Sequence, residues 1–242
     1  MMGMVKRRIG LLLPSSNTTM EPEFYAMAPE GLTIHSARMR LEEVTPETLE
    51  EMAREARRAA SLLATAEVDV LVYGCTSGSL LKGVKWERRL VEELEDETGI
   101  EAVSTAGAVV EALKELGVRR VAVATPYIDE INRLEQRFLE ECGFEVAAIK
   151  GLSLRKNTEI GVVCGDRVVE LARGVAGDAE GVFISCTNLP TIGVIERLER
   201  ELDKPVVTSN QASMWMALKV LGLGPVSGYG VLLQRLKPSG VP

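Results

Sequence analysis

Histidine and cysteine are scarce in this chain of 242 residues, with one of the former and four of the latter, and aromatic residues make up only 4% of it. A single histidine means that a Ser–His or Cys–His nucleophile pair could be built only through His35. That residue falls inside an alternating run, 32–39, and reads as a hydrogen-bonded structural group. The cysteines, Cys75, Cys142, Cys164 and Cys186, are far apart, with no CxxC and no histidine beside them. Neither a zinc site nor a disulfide framework is expected from such spacing, and a reducing cytoplasm is the natural setting. There is no basic excess either: the net charge is −7, which argues against nucleic acid or an anionic membrane surface as a partner. No apolar run approaches the length of a membrane span. The start of the chain carries basic residues, but the apolar run that follows, 9–13, is too short for a signal-peptide core. The Gly-x-Ser-x-Gly elbow of serine hydrolases is missing, and residues 78–85 (GSLLKGVK) lack the Gly-Lys-Ser/Thr ending that sets a lysine on a phosphate. No cofactor and no metal is called for.

What the chain does have is alternation. Hydrophobic residues make up 46% of it, enough for a good aliphatic core. Short β-branched and leucine-rich runs at 8–13, 32–39, 68–74, 100–104, 120–124, 145–149, 181–185 and 206–208 predict strands. Between them lie amphipathic stretches. Thr45 and Pro46 open a predicted helix over 46–66, and further helices are expected over 86–97, 106–116, 128–142, 166–176, 191–202 and 211–221. Cys142 and Cys164 fall in helical patterns and read as small packing residues. The stretch 222–230 reads as a terminal loop. The resulting expectation is an α/β fold of two pseudo-symmetric lobes, each a four-stranded, mainly parallel sheet flanked by helices. Residues 1–117 would form the first lobe and 118–242 the second.

The halves match in detail. VDVLVYGCTSG and EGVFISCTN are two copies of one plan, an apolar run ending in Cys-Thr, and about 60 positions separate Pro14 from Cys75 and Pro126 from Cys186. Ligands of open α/β sheets bind outside the carboxyl ends of the strands, so the active site is expected in the cleft between the lobes. Two thiols on opposite sides of a small acid can serve as base and acid, because the ordinary cysteine pKa lies close to neutrality. A helix N-terminus after each strand end is expected to lower those pKa values. Thr76, Ser77, Thr187 and Asn188 would supply donors to a developing oxyanion. The loop PSSNTTME after the first strand adds Ser16 and Asn17, with five hydroxyl or amide residues in a row where a helix cap needs one.

PSSNTTME, HSARM, YGCTS, ATPY, KNTEIG and SCTNLPT, in this order, resemble the maleate cis-trans isomerase and arylmalonate decarboxylase branch of the aspartate/glutamate racemase superfamily. By this resemblance Asn17, Tyr127 and Asn157 correspond to residues that bind substrate carboxylates. Cys75 corresponds to the nucleophile of the isomerases, and Cys186 to their second cysteine and to the proton-donating cysteine of the decarboxylase. Thr76-Ser77 is similar to the decarboxylase, which nevertheless has glycine where this chain has Cys75. The expected activity is cofactor-independent isomerisation of a small dicarboxylate, maleate to fumarate through a Cys75 adduct. Two-base racemisation of an amino or hydroxy acid, decarboxylation with Cys186 as proton donor, and a silent acid-binding protein are the alternatives. A small carboxylate is the expected partner, self-association into a homo-oligomer stays open, and the last helix is expected to pack back on the first lobe.

Overall fold

A computed structural model describes residues 7–238, and the basic stretch weighed above as a leader lies mostly outside the described residues. The first half runs β1 (Arg7–Pro14), α1 (Met20–Met27), β2 (Leu32–Met39), α2 (Pro46–Arg54), α3 (Ala56–Ala64), β3 (Val70–Tyr73), α4 (Thr76–Leu80), α5 (Val84–Thr98), β4 (Ala102–Ser104) and α6 (Thr105–Glu115). The second runs β5 (Arg120–Thr125), α7 (Asp129–Glu141), β6 (Glu145–Gly151), α8 (Asn157–Ile160), α9 (Gly165–Ala176), β7 (Gly181–Ile184), α10 (Ile195–Leu202), β8 (Val206–Thr208), α11 (Ser209–Val220) and α12 (Val231–Gln234). Each half holds one four-stranded sheet, ordered β2-β1-β3-β4 and β6-β5-β7-β8, and every pairing within them is parallel. Equal order makes β3 and β7 equivalent strands, so Cys75 and Cys186 do follow matching strand ends.

The inner strands are apolar on both faces, as parallel strands covered by helices must be, while the edge strands β2 and β6 are partly exposed. Alternate residues feed two apolar layers, and each layer crosses both sheets. One contains Leu12, Leu71 and Tyr73 together with Ala122, Ala124 and Ile184; the other contains Leu11, Val70 and Val72 together with Val121, Val123 and Phe183. Helix α11 completes the join by packing on α6, α1 and β3. Ser213 donates a hydrogen bond to Thr105 across that contact at 3.0 Å.

Local chemistry sets the boundaries. Thr45 and Thr48 form a capping box around Pro46 at the start of α2, and α5 ends on Gly99 at φ 70°. The expected helix over 46–66 is interrupted at Glu55, whose carboxylate accepts the Arg40 N–H at 2.8 Å and ties the junction to the end of β2. The expected 191–202 helix starts only at Ile195, and the Thr191 and Ile192 N–H groups before it are taken by Glu23. Helices α8 and α12 are too short for a periodic signal and were not foreseen; α4 is the helix start expected after Cys75, whereas no helix follows Cys186 directly.

Candidate active site

Cys75 is the N-cap of α4. Its backbone is extended (φ −146°, ψ 111°) and its sulfur accepts the Gly78 N–H at 3.4 Å, with Ser77 Oγ at 3.7 Å. A Cβ added at Gly78 would come within 3.2 Å of that sulfur, 3.0 Å of the Tyr73 hydroxyl and 2.9 Å of Met52, so only glycine lets the helix start this close to the thiol. Cys186 is presented differently. It is a non-glycine residue at φ 94°, a conformation that persists only where its surroundings over-determine it. Here they do. Ser185 N–H bonds Ala124 O at 2.8 Å, Cys186 N–H bonds Ser209 Oγ at 3.0 Å, and the sulfur accepts the Asn188 N–H at 3.3 Å and a hydrogen bond from Tyr127.

The two cysteine loops meet. Thr76 Oγ1 donates at 2.9 Å to the same Ser209 hydroxyl that holds the Cys186 backbone, and Thr187 Oγ1 donates at 3.1 Å to Gly74 O. The loop after β1 joins them. Asn17 Nδ2 donates to Thr187 Oγ1 at 3.1 Å while its oxygen accepts the Thr19 and Met20 N–H groups, capping α1. Asn188 accepts the Thr18 N–H at 2.8 Å and donates to Asn157 O at 2.7 Å; Asn157 donates to Ser16 Oγ at 2.9 Å, and Ser16 donates to Leu41 O. All ten residues singled out from the sequence, Ser16, Asn17, Cys75, Thr76, Ser77, Tyr127, Asn157, Cys186, Thr187 and Asn188, therefore fall at one junction between the two sheets, most of them linked by hydrogen bonds. The junction is closed, with Cys75 4% and Cys186 5% exposed.

Burial governs the electrostatics. It pushes the Cys75 thiol above its ordinary value despite the Gly78 and Ser77 donors, and pushes Cys186 up to about 12 despite Tyr127 and Asn188. The lowering expected from helix N-termini is thus outweighed, and both sulfurs rest as thiols. Tyr127 is driven well above its ordinary value, first by burial and then by the two thiols and Glu135. The polar groups are all neutral donors: Arg38, the nearest arginine to the β1 loop, is spent on Ser15 O, Asn17 O and Glu21. Among the described residues no group of His, Cys, Asp and Glu side chains is set to hold a metal ion.

Four participants escaped the sequence reading. Ser209 and Asn210 open α11 directly after a strand end, the same context as Thr76 and Ser77, and that repetition was the available signal. Glu23 reaches from α1 to the loop after Cys186, accepting from Thr191 N at 2.7 Å, Ile192 N at 3.2 Å and Asn210 Nδ2 at 2.6 Å. Glu135 lies behind Ser185, and its place on the apolar stripe of α7 between Ile131 and Leu139 was the available signal. His35 stays in β2, with Nε2 3.0 Å from Thr33 Oγ1. Cys142 is half-buried at the end of α7, whereas Cys164 is exposed at the start of α9 and is not the packing residue expected of it.

A family model described as arylmalonate decarboxylase matches residues 9–233. The maleate isomerase of Pseudomonas putida is 36% identical, covering 93% of this chain and 96% of its own. The arylmalonate decarboxylase of Bordetella bronchiseptica is 30% identical over 94% of this chain and 96% of its own. A solved structure of the Nocardia farcinica maleate cis-trans isomerase, a cysteine-to-serine mutant with a covalently bound succinylcysteine intermediate, superposes with a TM-score of 0.90 at 30% identity, covering 95% of this chain and 98% of that one. A duplicated parallel-sheet fold with a thiol after each third strand, matched from end to end in sequence and in shape, leaves one assignment: this chain belongs to the arylmalonate decarboxylase family.

Proposed function

We propose that the chain is a cofactor-independent isomerase that converts maleate, or a closely similar cis dicarboxylate, to its trans isomer. The observation that carries this reading is the pair of buried thiols at equivalent strand ends, on loops that Ser209 links by accepting from the Thr76 hydroxyl and the Cys186 backbone N–H, with neutral donors around them. The Cys75 sulfur adds to one alkene carbon, and its S–H bond breaks as the S–C bond forms, the proton passing to Cys186 to replace the one that Cys186 gives to the substrate. The alkene electrons move to the other carbon, where charge spreads into the adjacent carboxylate and a proton is delivered from Cys186. The result is a succinyl thioether, the kind of adduct named for the Nocardia farcinica relative. Its former double bond is now single and turns freely. Removal of the same carbon's proton and expulsion of the sulfur then give the trans product and restore both thiols. Thiols that rest protonated suit this cycle, which adds S–H across a double bond and later takes it off.

Two carboxylates enter a site with no cation, so Asn17, Thr76, Ser77, Tyr127, Asn157, Thr187 and Asn188 are proposed to receive them by hydrogen bonds. Such donors count for more in a low-dielectric site than in water. Maleate followed by proton NMR in heavy water tests the reading. Fumarate carrying no requirement for added cofactor is the expected product, and a protein that leaves maleate unchanged overturns it. One further reading has an observation behind it: Cys186 and Thr76-Ser77 are the parts that decarboxylation needs, and a decarboxylase is among the relatives. Release of CO2 from an α-aryl malonate would favour it, while solvent deuterium entering a saturated acid without net conversion would favour racemisation.

A further inference from the structure

The junction has a titratable neighbour that the isomerisation does not use. Glu135 projects from α7 toward the end of β7, 1% exposed. One carboxyl oxygen accepts the Ser185 hydroxyl at 2.6 Å; the other, Oε2, has no hydrogen-bond partner among the described residues. An unpartnered buried carboxyl oxygen is costly, and natural proteins keep one where it serves some purpose. The residue it grips is the one directly before Cys186, so the peptide that holds the thiol at φ 94° is fixed from both sides, by Glu135 on Ser185 and by Ser209 on the Cys186 N–H.

We propose that Glu135 is a positioning residue for Cys186, gripping the strand end from behind the thiol so that its carboxyl and the Cys186–Tyr127 pair sense one another's ionisation. The inference rests on the reading that Cys186 handles the substrate's proton. The titratable groups that bear on this region are few. Tyr127 feels both Glu135 and the two thiols. Neither α4 nor β7 carries a charged side chain, and the charged residues of β6, Glu145 and Lys150, are exposed. On α7 itself Asp129, Glu130, Arg133, Arg137, Glu140 and Glu141 are exposed as well. Burial pushes Glu135 up to about 8, with Ser185 the one group favouring the carboxylate. At neutral pH the side chain is therefore a neutral acid, and above about pH 8 it places an unscreened negative charge behind the sulfur. Charge of that sign, in a medium of low dielectric, opposes formation of a second anion at Cys186.

The test uses the whole chain and no substrate. Cys186 is alkylated with uncharged iodoacetamide and followed by peptide mass spectrometry at about pH 6.5 and about pH 9, in the wild type and in Glu135→Gln, which keeps the acceptor for Ser185 and cannot ionise. The expected result is a pH 9 to pH 6.5 rate ratio about threefold or more higher in Glu135→Gln, since one pH-unit of coupling is tenfold in an equilibrium. Ser185→Ala, which strips the donor that favours the carboxylate, should move the break in the profile to higher pH. A ratio equal in wild type and Glu135→Gln, a change of the same size at both pH values, or a Cys186 unreactive in both proteins overturns the proposal. None of these outcomes depends on whether maleate is turned over, so this proposal and the assignment of function fail separately.

Discussion

The two cysteine loops occupy equivalent places in a duplicated fold, yet they are built unlike. Cys75 has extended backbone and runs straight into α4, whose Gly78 N–H faces the sulfur. Cys186 has a left-handed backbone, no helix follows it until Ile195, and its sulfur depends on Tyr127 and the Asn188 N–H. A charge on Cys75 raises Cys186 further, so the two thiols do not ionise independently. Duplication has thus supplied two sulfurs but not two copies of one chemistry. The proposed cycle assigns the two unlike sites unlike tasks, the first thiol as nucleophile and the second as proton donor.

The largest effect should come from breaking that division of labour. Cys75→Ser is expected to lower turnover by about a thousandfold or more and to leave no covalent species, since an alcohol is a far weaker nucleophile than a thiol. Cys186→Ser should also stop net turnover, but the protein incubated with maleate should gain the mass of one substrate, located on Cys75 by peptide mass spectrometry. An adduct on either cysteine with equal ease would show that the loops are equivalent after all.

A smaller effect should come from Gly78, which belongs to the first loop alone. Gly78→Ala drives a methyl group toward the Cys75 sulfur, the Tyr73 hydroxyl and Met52, and neither the buried ring nor the start of α4 has room to give. Turnover should fall about 10- to 100-fold, the scale set by a small misplacement of a reacting group. The sharper readout is selective: alkylation of Cys75 slows while that of Cys186 does not. Equal slowing of both would mean that the junction moves as one body and that the asymmetry between the loops is not local.

Much of this was legible in the sequence, because fold and site both follow from repetition. Eight apolar runs separated by helical periods dictate parallel sheets, and the repeated Cys-Thr after two of them locates the chemistry at matching strand ends. The failures have physical causes. The break at Glu55 and the late start of α10 sit beside contacts to distant elements, Glu55 with Arg40 and Glu23 with Thr191 and Ile192, which local periodicity does not show. Glu135 was overlooked although it falls on the apolar stripe of α7, four residues from both Ile131 and Leu139, where a charged side chain is out of pattern. The thiols were expected to be acidified by helix N-termini, an inference that counts donors and overlooks how little water reaches them.

The smallest effects should come from Asn17, where stability and binding can be separated. Its oxygen caps α1 through Thr19 and Met20, and its amide group reaches across to Thr187 in the loop after Cys186. Asn17→Ala removes both functions, and loss of a cap costs about 1 kcal/mol. Asn17→Asp keeps the acceptor, and its charge is favourable at a helix N-terminus, so thermal stability should stay within about 1 kcal/mol of wild type. It also exchanges the donor for a negative charge beside the proposed dicarboxylate site. KM for maleate should then rise about tenfold, the cost of roughly 1.4 kcal/mol of binding, while adduct formation at saturating substrate is little changed. If Asn17→Asp instead binds maleate as well as wild type, Asn17 only caps its helix, and the first half's part in recognition falls to the loop that carries Cys75.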